Sequence, residues 1–543
     1  MNGEGLELVD LNSAIPDATL DFVMAMLKGC DAVVVLEESL ARNTGRPRSI
    51  SPTAILASLV LLAIDDRPLH LTRVVELLYF RISERSRAML DVKGEASGPR
   101  GFEAAYRRVR YLFGLMCATV DPSPLPKNRC VPNQDLLAAV VPMSHQEIQS
   151  ANRRLLNLVN SLVEASVAVL SEKELSGYDG SISLDATVVP LFSRGPSKTK
   201  GICASDPDGG WYVREGDHRD AEDPKGKKRT RIAWALEATV ATMAPTESAR
   251  YPNLVLGLMM SRPGVDPGAC GAAVLASIRN RQYRSGTVGA DRAYSAADPH
   301  KFHLPLRSMG YSLVMDYRID QLGRQANVSG ALLVEGTWYC PAMPEDLIAA
   351  TIDYRTGKIE RSAYDSRIAA RKSYALIHKQ GPDRDGYERY GCPALGKGPR
   401  VICPARPTSR CSGNPRAKVF DAPSPLPKIC SATAITIAPD VGIRHRQELA
   451  FGSGPWAKRY ATLRNTIEGL NGYIKDPAHE SLAAPGRRRV RGIAAQSIFV
   501  AILAMAANLR KIRAYRDKVA QEALAEPKRA KRRRVSLCDY APT

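Results

Sequence analysis

One run near the C-terminal end limits the fold more than any other: IAAQSIFVAILAMAANL, Ile493–Leu509. It carries no charge, and its length is borderline for a membrane helix, which needs roughly 20 apolar residues. Gln496, Ser497 and Asn508 interrupt it, so a helix buried in a protein core is the expectation. ILASLVLLAI, Ile55–Ile64, is equally apolar and too short to cross a bilayer. The acidic start MNGEGLELVDLN lacks the basic-then-apolar order of a secretory signal. The 11 cysteines, an odd number scattered along 543 residues, fit reduced thiols in a cytoplasm, not a disulfide framework. A chain of this length exceeds one core, and roughly three or four domains are expected.

Charge narrows the partner. The formal net charge is +20, a surplus that points to a polyanion, nucleic acid first, with a solvated basic surface as the plain alternative. The loop RNTGRPRSISP carries a Gly-Arg-Pro-Arg stretch that suits either a minor-groove arm or a linker.

Residues 1–175 read as helical and as a DNA-binding domain. Ser51-Pro52 is a cap and first-turn pair, GFEAAYRRVRYLFGLM has helical apolar spacing, and a long helix follows over His145–Leu170. Over residues 176–320 the pattern becomes strand-rich. GSISLDATVVPLF, RIAWALEATVATMA and NLVLGLMM read as strands and CGAAVLASIRNRQY as a helix. GTVGADRAYS reads as strand then loop, and GYSLVMDYR as a further strand, which together predict a mixed α/β sheet. Residues 321–450 are rich in Pro and Gly, hold short strands such as ALLVEGT, and read as an insertion. Helical sequence resumes over residues 451–520, and residues 521–543 form a basic tail expected to be disordered.

The helix KRYATLRNTIEGLNGYIKD holds Tyr460, Arg464, Glu468 and Lys475 at steps of four, four and seven, within an arc of about 80°. Leu463, Ile467, Leu470 and Ile474 form an apolar stripe beside that column. Two aspartates end strand-like runs, Asp185 after SISL and Asp291 after TVGA. With Glu468 they form a triple of the kind that two Mg²⁺ ions need, oxygen ligands contributed by two strands and a helix. Spacing alone does not prove that the three meet. Asp316, Asp353 and Glu237 also lie in or near strand-like runs and compete for the role. Arg464 and Lys475 suit either a phosphate or an ion pair with Glu468. Arg292 and Tyr294 beside Asp291 suit either phosphate contact or packing, and Trp456 or Trp211 either a base stack or the core. Cys392, Cys403, Cys411 and Cys430, with Cys340 upstream, could hold a structural Zn²⁺. No pair has the CxxC spacing, so reduced, partly buried thiols are the expectation.

SISLDATVVPL, GADRAY and Tyr460-x₃-Arg464-x₃-Glu468-x₆-Lys475 resemble the motifs of DDE transposases of bacterial insertion sequences, in the branch with a Tyr-Arg-Glu-Lys signature helix. GRPRSISPTAILASLVLLA and RRRVRGIAAQSIFVAILAMAANLRK resemble the flanking helical regions of the same group. The resemblance implies a ribonuclease-H-like mixed sheet with flanking helices, a helical N-terminal domain and a β-rich insertion before the last catalytic helix. It implies Asp185, Asp291 and Glu468 as catalytic metal ligands, with Mg²⁺, or Mn²⁺ in its place. Tyr460, Arg464, Lys475 and Arg292 are then DNA contacts. The expected protein is a bacterial, nucleoid-associated dimer that cuts element ends and joins them to target DNA, with no membrane partner. A nuclease without strand transfer and an inactive DNA-binding derivative are the alternatives.

Overall fold

The computed structural model describes residues 14–41, 48–140, 143–196, 201–214, 231–246, 250–396, 399, 401–412 and 417–524. Most of the Gly-Arg-Pro-Arg stretch, nearly all of the basic tail and the side chain of Cys411 lie outside them.

The centre is a six-stranded mixed sheet. Its strands are β1 (Ile182–Pro190), β2 (Gly210–Arg214), β3 (Arg231–Met243), β4 (Val255–Ser261), β5 (Thr287–Ala290) and β6 (Ser312–Met315). β3 runs antiparallel to β1, β2 and β4, whereas β5 runs parallel to β1 and β6 parallel to β5. Five of these strands match the β-branched runs read from the sequence; β2, carrying Trp211, was not anticipated. Asp291 is followed by a short helix, Arg292–Ser295, where a loop was expected.

Alternation along the strands divides the molecule into two layers. Val189, Leu236, Ala238 and Val240 face one side, packed with Ile467, Leu470 and Ile474, the Ile493–Leu524 helix and the N-terminal helices. Ile182, Leu184, Ala241 and Met243 face the other, packed on the Pro267–Asn280 helix. The N-terminal region is helical as expected, and it adds helices at Asp17–Lys28, Asp31–Ser39 and Asn133–Val140 that were not read individually. Ser51 accepts from Ala54 N at 3.0 Å ahead of the buried Pro52–Ile64 helix, and Ser144 closes a capping box with Glu147 ahead of His145–Val167.

Among the described residues, Ile493–Leu524 is the one helix long and apolar enough to cross a membrane, and 83% of its apolar window is buried inside the protein. Its polar residues are used in that interior. Gln496 donates to Val490 O at 2.8 Å. The Asn508 amide accepts from Val255 N at 2.8 Å and donates to Val255 O at 2.9 Å, standing in for a neighbour along edge strand β4. Gln447 does the same at the other edge, accepting from Met315 N at 3.0 Å and donating to Met315 O at 2.9 Å on β6.

The predicted insertion contains the expected short strands, in small sheets of two or three. It also holds helices at Glu345–Ile348, Ala350–Arg355 and Arg361–Arg371 that Pro and Gly density had hidden. Asp353 therefore lies on a helix, not near a strand, and accepts from Arg367 at 3.1 Å.

Candidate active site

Leu184 on β1 pairs in parallel register with Ala290 on β5. One residue further along, Asp185 and Asp291 stand side by side; Asp291 lies just past the end of β5, whereas Asp185 sits inside β1, paired with Val240 on β3, and not at a strand end as its run had suggested. β5 ends there, and Asp291 caps the following helix by accepting from Ala293 N at 2.9 Å. Burial, and then the charge of Asp291, push the Asp185 carboxyl up to about 6, against the Ala186 amide, Arg464 and Lys475, which pull it down. Two carboxylates are thus held together at the cost of the charged form.

The column helix spans Gly454–Lys475, capped by Ser453, which accepts from Trp456 N at 3.3 Å. Leu463, Ile467, Leu470 and Ile474 are all buried, as their stripe requires. Gly289 on β5 decides how close the helix comes: a Cβ there would meet the Leu463 Cβ at 2.5 Å. Ser183 on β1 donates its hydroxyl to Leu463 O at 2.8 Å and fixes the helix along its axis. That docking brings Asn471 to Asp185, with the amide Nδ2 donating to Oδ2 at 2.9 Å. The amide oxygen, Asn471 Oδ1, is buried without a hydrogen-bond partner.

Arg464 stands between the carboxylates. Its Nε donates to Glu468 Oε1 at 2.6 Å, and its charge acts on Asp185. Glu468 is half exposed and turned to Arg464 along the helix. The structure therefore joins Asp185 to Asp291 and holds Glu468 one link away, through Arg464. Among the described residues no three His, Cys, Asp or Glu side chains stand at metal-holding spacing. Lys475 is close enough for its charge to act on Asp185.

The competing carboxylates are disposed of by their partners. Asp316 takes Arg292 Nε at 2.7 Å, Arg355 Nη2 at 2.5 Å and Tyr317 N at 2.9 Å, and is saturated. Arg292, expected on DNA, is thereby anchored to Asp316, though its side chain stays exposed. Glu237 pairs in register with Val188, on the sheet face opposite Asp185, and accepts from Gly264 N at 3.1 Å. Tyr294 is buried against Phe302, as the packing alternative requires. Tyr460 stacks on Trp456, with ring centroids 5.0 Å apart and planes 8° apart. Trp456 donates to Gln447 at 3.0 Å and belongs to the core. Trp211 is exposed, edge-on to Trp234.

Asn471 is the site residue the sequence reading missed. It divides the step of seven between Glu468 and Lys475 into three and four, so it lies on the column itself. An amide among charged residues gave no electrostatic signal, but its spacing did. No family model matches the chain, and no curated protein or solved structure matches it.

Proposed function

We propose that the chain is a DDE-type DNA transposase, which binds the ends of its element, cuts them by metal-dependent phosphodiester hydrolysis and joins the 3′-OH ends to target DNA. One observation carries the reading. The Leu184–Ala290 register sets Asp185 beside Asp291, and the signature helix docks over them through Leu463 and Gly289. The strand order, antiparallel through β4, β3 and β1 and then parallel through β5 and β6, supports a ribonuclease-H-like core with the first Asp on the central strand.

The donor set is all oxygen, which suits Mg²⁺ or Mn²⁺. Two adjoining carboxylates, one with its charge disfavoured, and the orphaned Asn471 Oδ1 are groups a cation would satisfy. Asp185, Asp291 and Glu468 would hold it. When bound, such ions activate the attacking oxygen and stabilise the leaving one. The chain's own residues do the rest. Arg464 exchanges Glu468 for the phosphodiester, presenting a bidentate fork and releasing the Glu468 carboxylate toward the aspartates. Lys475 and Tyr460 contact neighbouring phosphates from either end of the column, and Arg292 offers its exposed donors beside Asp291. The helical N-terminal region reads the element ends, with Arg107 and Arg110 on the exposed face of the Gly98–Val120 helix. Two ends to be handled call for two protomers on DNA.

The test is incubation with terminal-repeat DNA and Mg²⁺, followed on a sequencing gel. Cleavage at the ends and joined products are expected. Asp291→Asn is expected to lower both by about 10³-fold or more while leaving gel-shift binding intact. Cleavage without joining would make the protein a nuclease, and binding without cleavage a DNA-binding protein without chemistry.

A further inference from the structure

Four cysteines of the insertion that are far apart in sequence meet in one place. Cys340, Cys392, Cys403 and Cys430 are each under 5% exposed and belong to a single buried cluster. Every pair among the four is close enough for one sulfur's charge to act on the other. Three sit just past strand ends, after Thr337–Tyr339, Glu388–Gly391 and Val401–Ile402, and the fourth on the short helix Lys428–Ser431.

The local chemistry repeats. Cys340, Cys392 and Cys403 each open a Cys-Pro-Ala triplet. Each forms the same turn, its carbonyl accepting from the amide three residues on: Met343 at 3.1 Å, Leu395 at 3.1 Å and Arg406 at 2.9 Å. In two of them the amide two residues on lies near enough to favour the thiolate, Ala342 for Cys340 and Ala394 for Cys392, against the burial that raises both thiols. Burial raises the Cys340, Cys392 and Cys430 thiols, so the thiolates need a cation to form there, and proline fixes the backbone that carries three of the four sulfurs. Arg406 lies near Cys392 and Cys430, where its single charge would offset part of the negative charge of a four-thiolate site. The surroundings need such a tie, since the insertion's sheets have only two or three short strands.

We infer that Cys340, Cys392, Cys403 and Cys430 form a structural Zn²⁺ site that ties the insertion together. Zinc takes four thiolates tetrahedrally and leaves no open position, so the site is structural and independent of the phosphodiester chemistry. The sulfurs are neighbours but not at metal-holding spacing, so binding closes them by side-chain rotation and expels four thiol protons. The set differs from one drawn on sequence proximity: Cys340 is the fourth member.

Elemental analysis of the full-length protein, purified without chelator or immobilised metal, is expected to give one zinc per chain. A mercurial should release it to a chromophoric chelator. Cobalt replacement should give the visible bands of tetrahedral Co²⁺ and a sulfur-to-cobalt charge-transfer band. Cys340→Ser and Cys403→Ser should each lose the metal, while Cys30→Ser and Cys117→Ser keep it. Because serine variants can fail to fold, the wild-type zinc content and cobalt spectrum decide independently. Zinc-free protein that takes up no cobalt, iron in place of zinc, or disulfides among the four would overturn the inference. So would retention of zinc in a folded Cys340→Ser protein.

Discussion

Two carboxylates, one buried in the insertion and one half-buried in the central sheet, are treated in opposite ways. Glu335 is fully buried, and its oxygens accept from Arg371, from Thr351 Oγ1 at 2.8 Å and from Gly323 N at 3.3 Å. Its charge is matched by a buried guanidinium and serves to hold helix to strand. Asp185 has one side-chain donor, Asn471, and a second carboxylate as its neighbour. The fold completes the first group and, through burial and then Asp291, disfavours the charged form of the second even with Arg464 and Lys475 nearby. The contrast separates an acid that the fold completes from one whose charged form it disfavours.

The sharpest way to break this contrast is to truncate each acid in turn. Glu335→Ala strands Arg371 without its partner and is expected to cost about 3–5 kcal/mol in urea unfolding. A loss under about 1 kcal/mol would show that the pair holds nothing together. Asp185→Asn is expected to do the reverse. The folded Asp185 carboxyl titrates near 6, above the unfolded value of about 3.9, so the folded state keeps a proton that the unfolded chain has lost. Wild-type stability therefore falls as pH rises from about 4 to 6, and the asparagine variant is relieved of that fall. It should be about 2 kcal/mol more stable than wild type at pH 7 and equal to it near pH 4. A destabilised Asp185→Asn at pH 7 would place Asp185 in the same class as Glu335. The smallest effect concerns how the two acids of the site are covered. Gly289→Ala drives a methyl against Leu463 and is expected to cost about 1–2 kcal/mol and to lift the helix off Asp185. The pH-dependent penalty should shrink with it, read from the slope of stability between pH 4 and 6.

What was legible in the chain follows the same division. The strands carrying Asp185 and leading to Asp291 are short apolar runs with consecutive buried residues, and their composition between turn signals announces them. Leu463, Ile467, Leu470 and Ile474 predicted their own burial, because a stripe at helical spacing has few other uses. Asn471 was hidden because the column was counted by charge. The Arg292–Asp316 pair was hidden because β5 and β6 become neighbours only through the sheet. In the insertion the helices over residues 345–371 were masked by Pro and Gly density. The company kept by Cys340 was masked by the 51 residues between it and Cys392. Local pattern reports periodicity; meetings between distant segments need the fold.

The two amide side chains at the margins of the sheet have a consequence for assembly. Asn508 occupies the outward backbone groups of Val255 on β4, and Gln447 those of Met315 on β6. A sheet with open margins can grow by taking a strand from a neighbour; here each margin is already answered from within the same chain at those positions. A strand added along β4 or β6 would first have to displace these amides from Val255 and Met315.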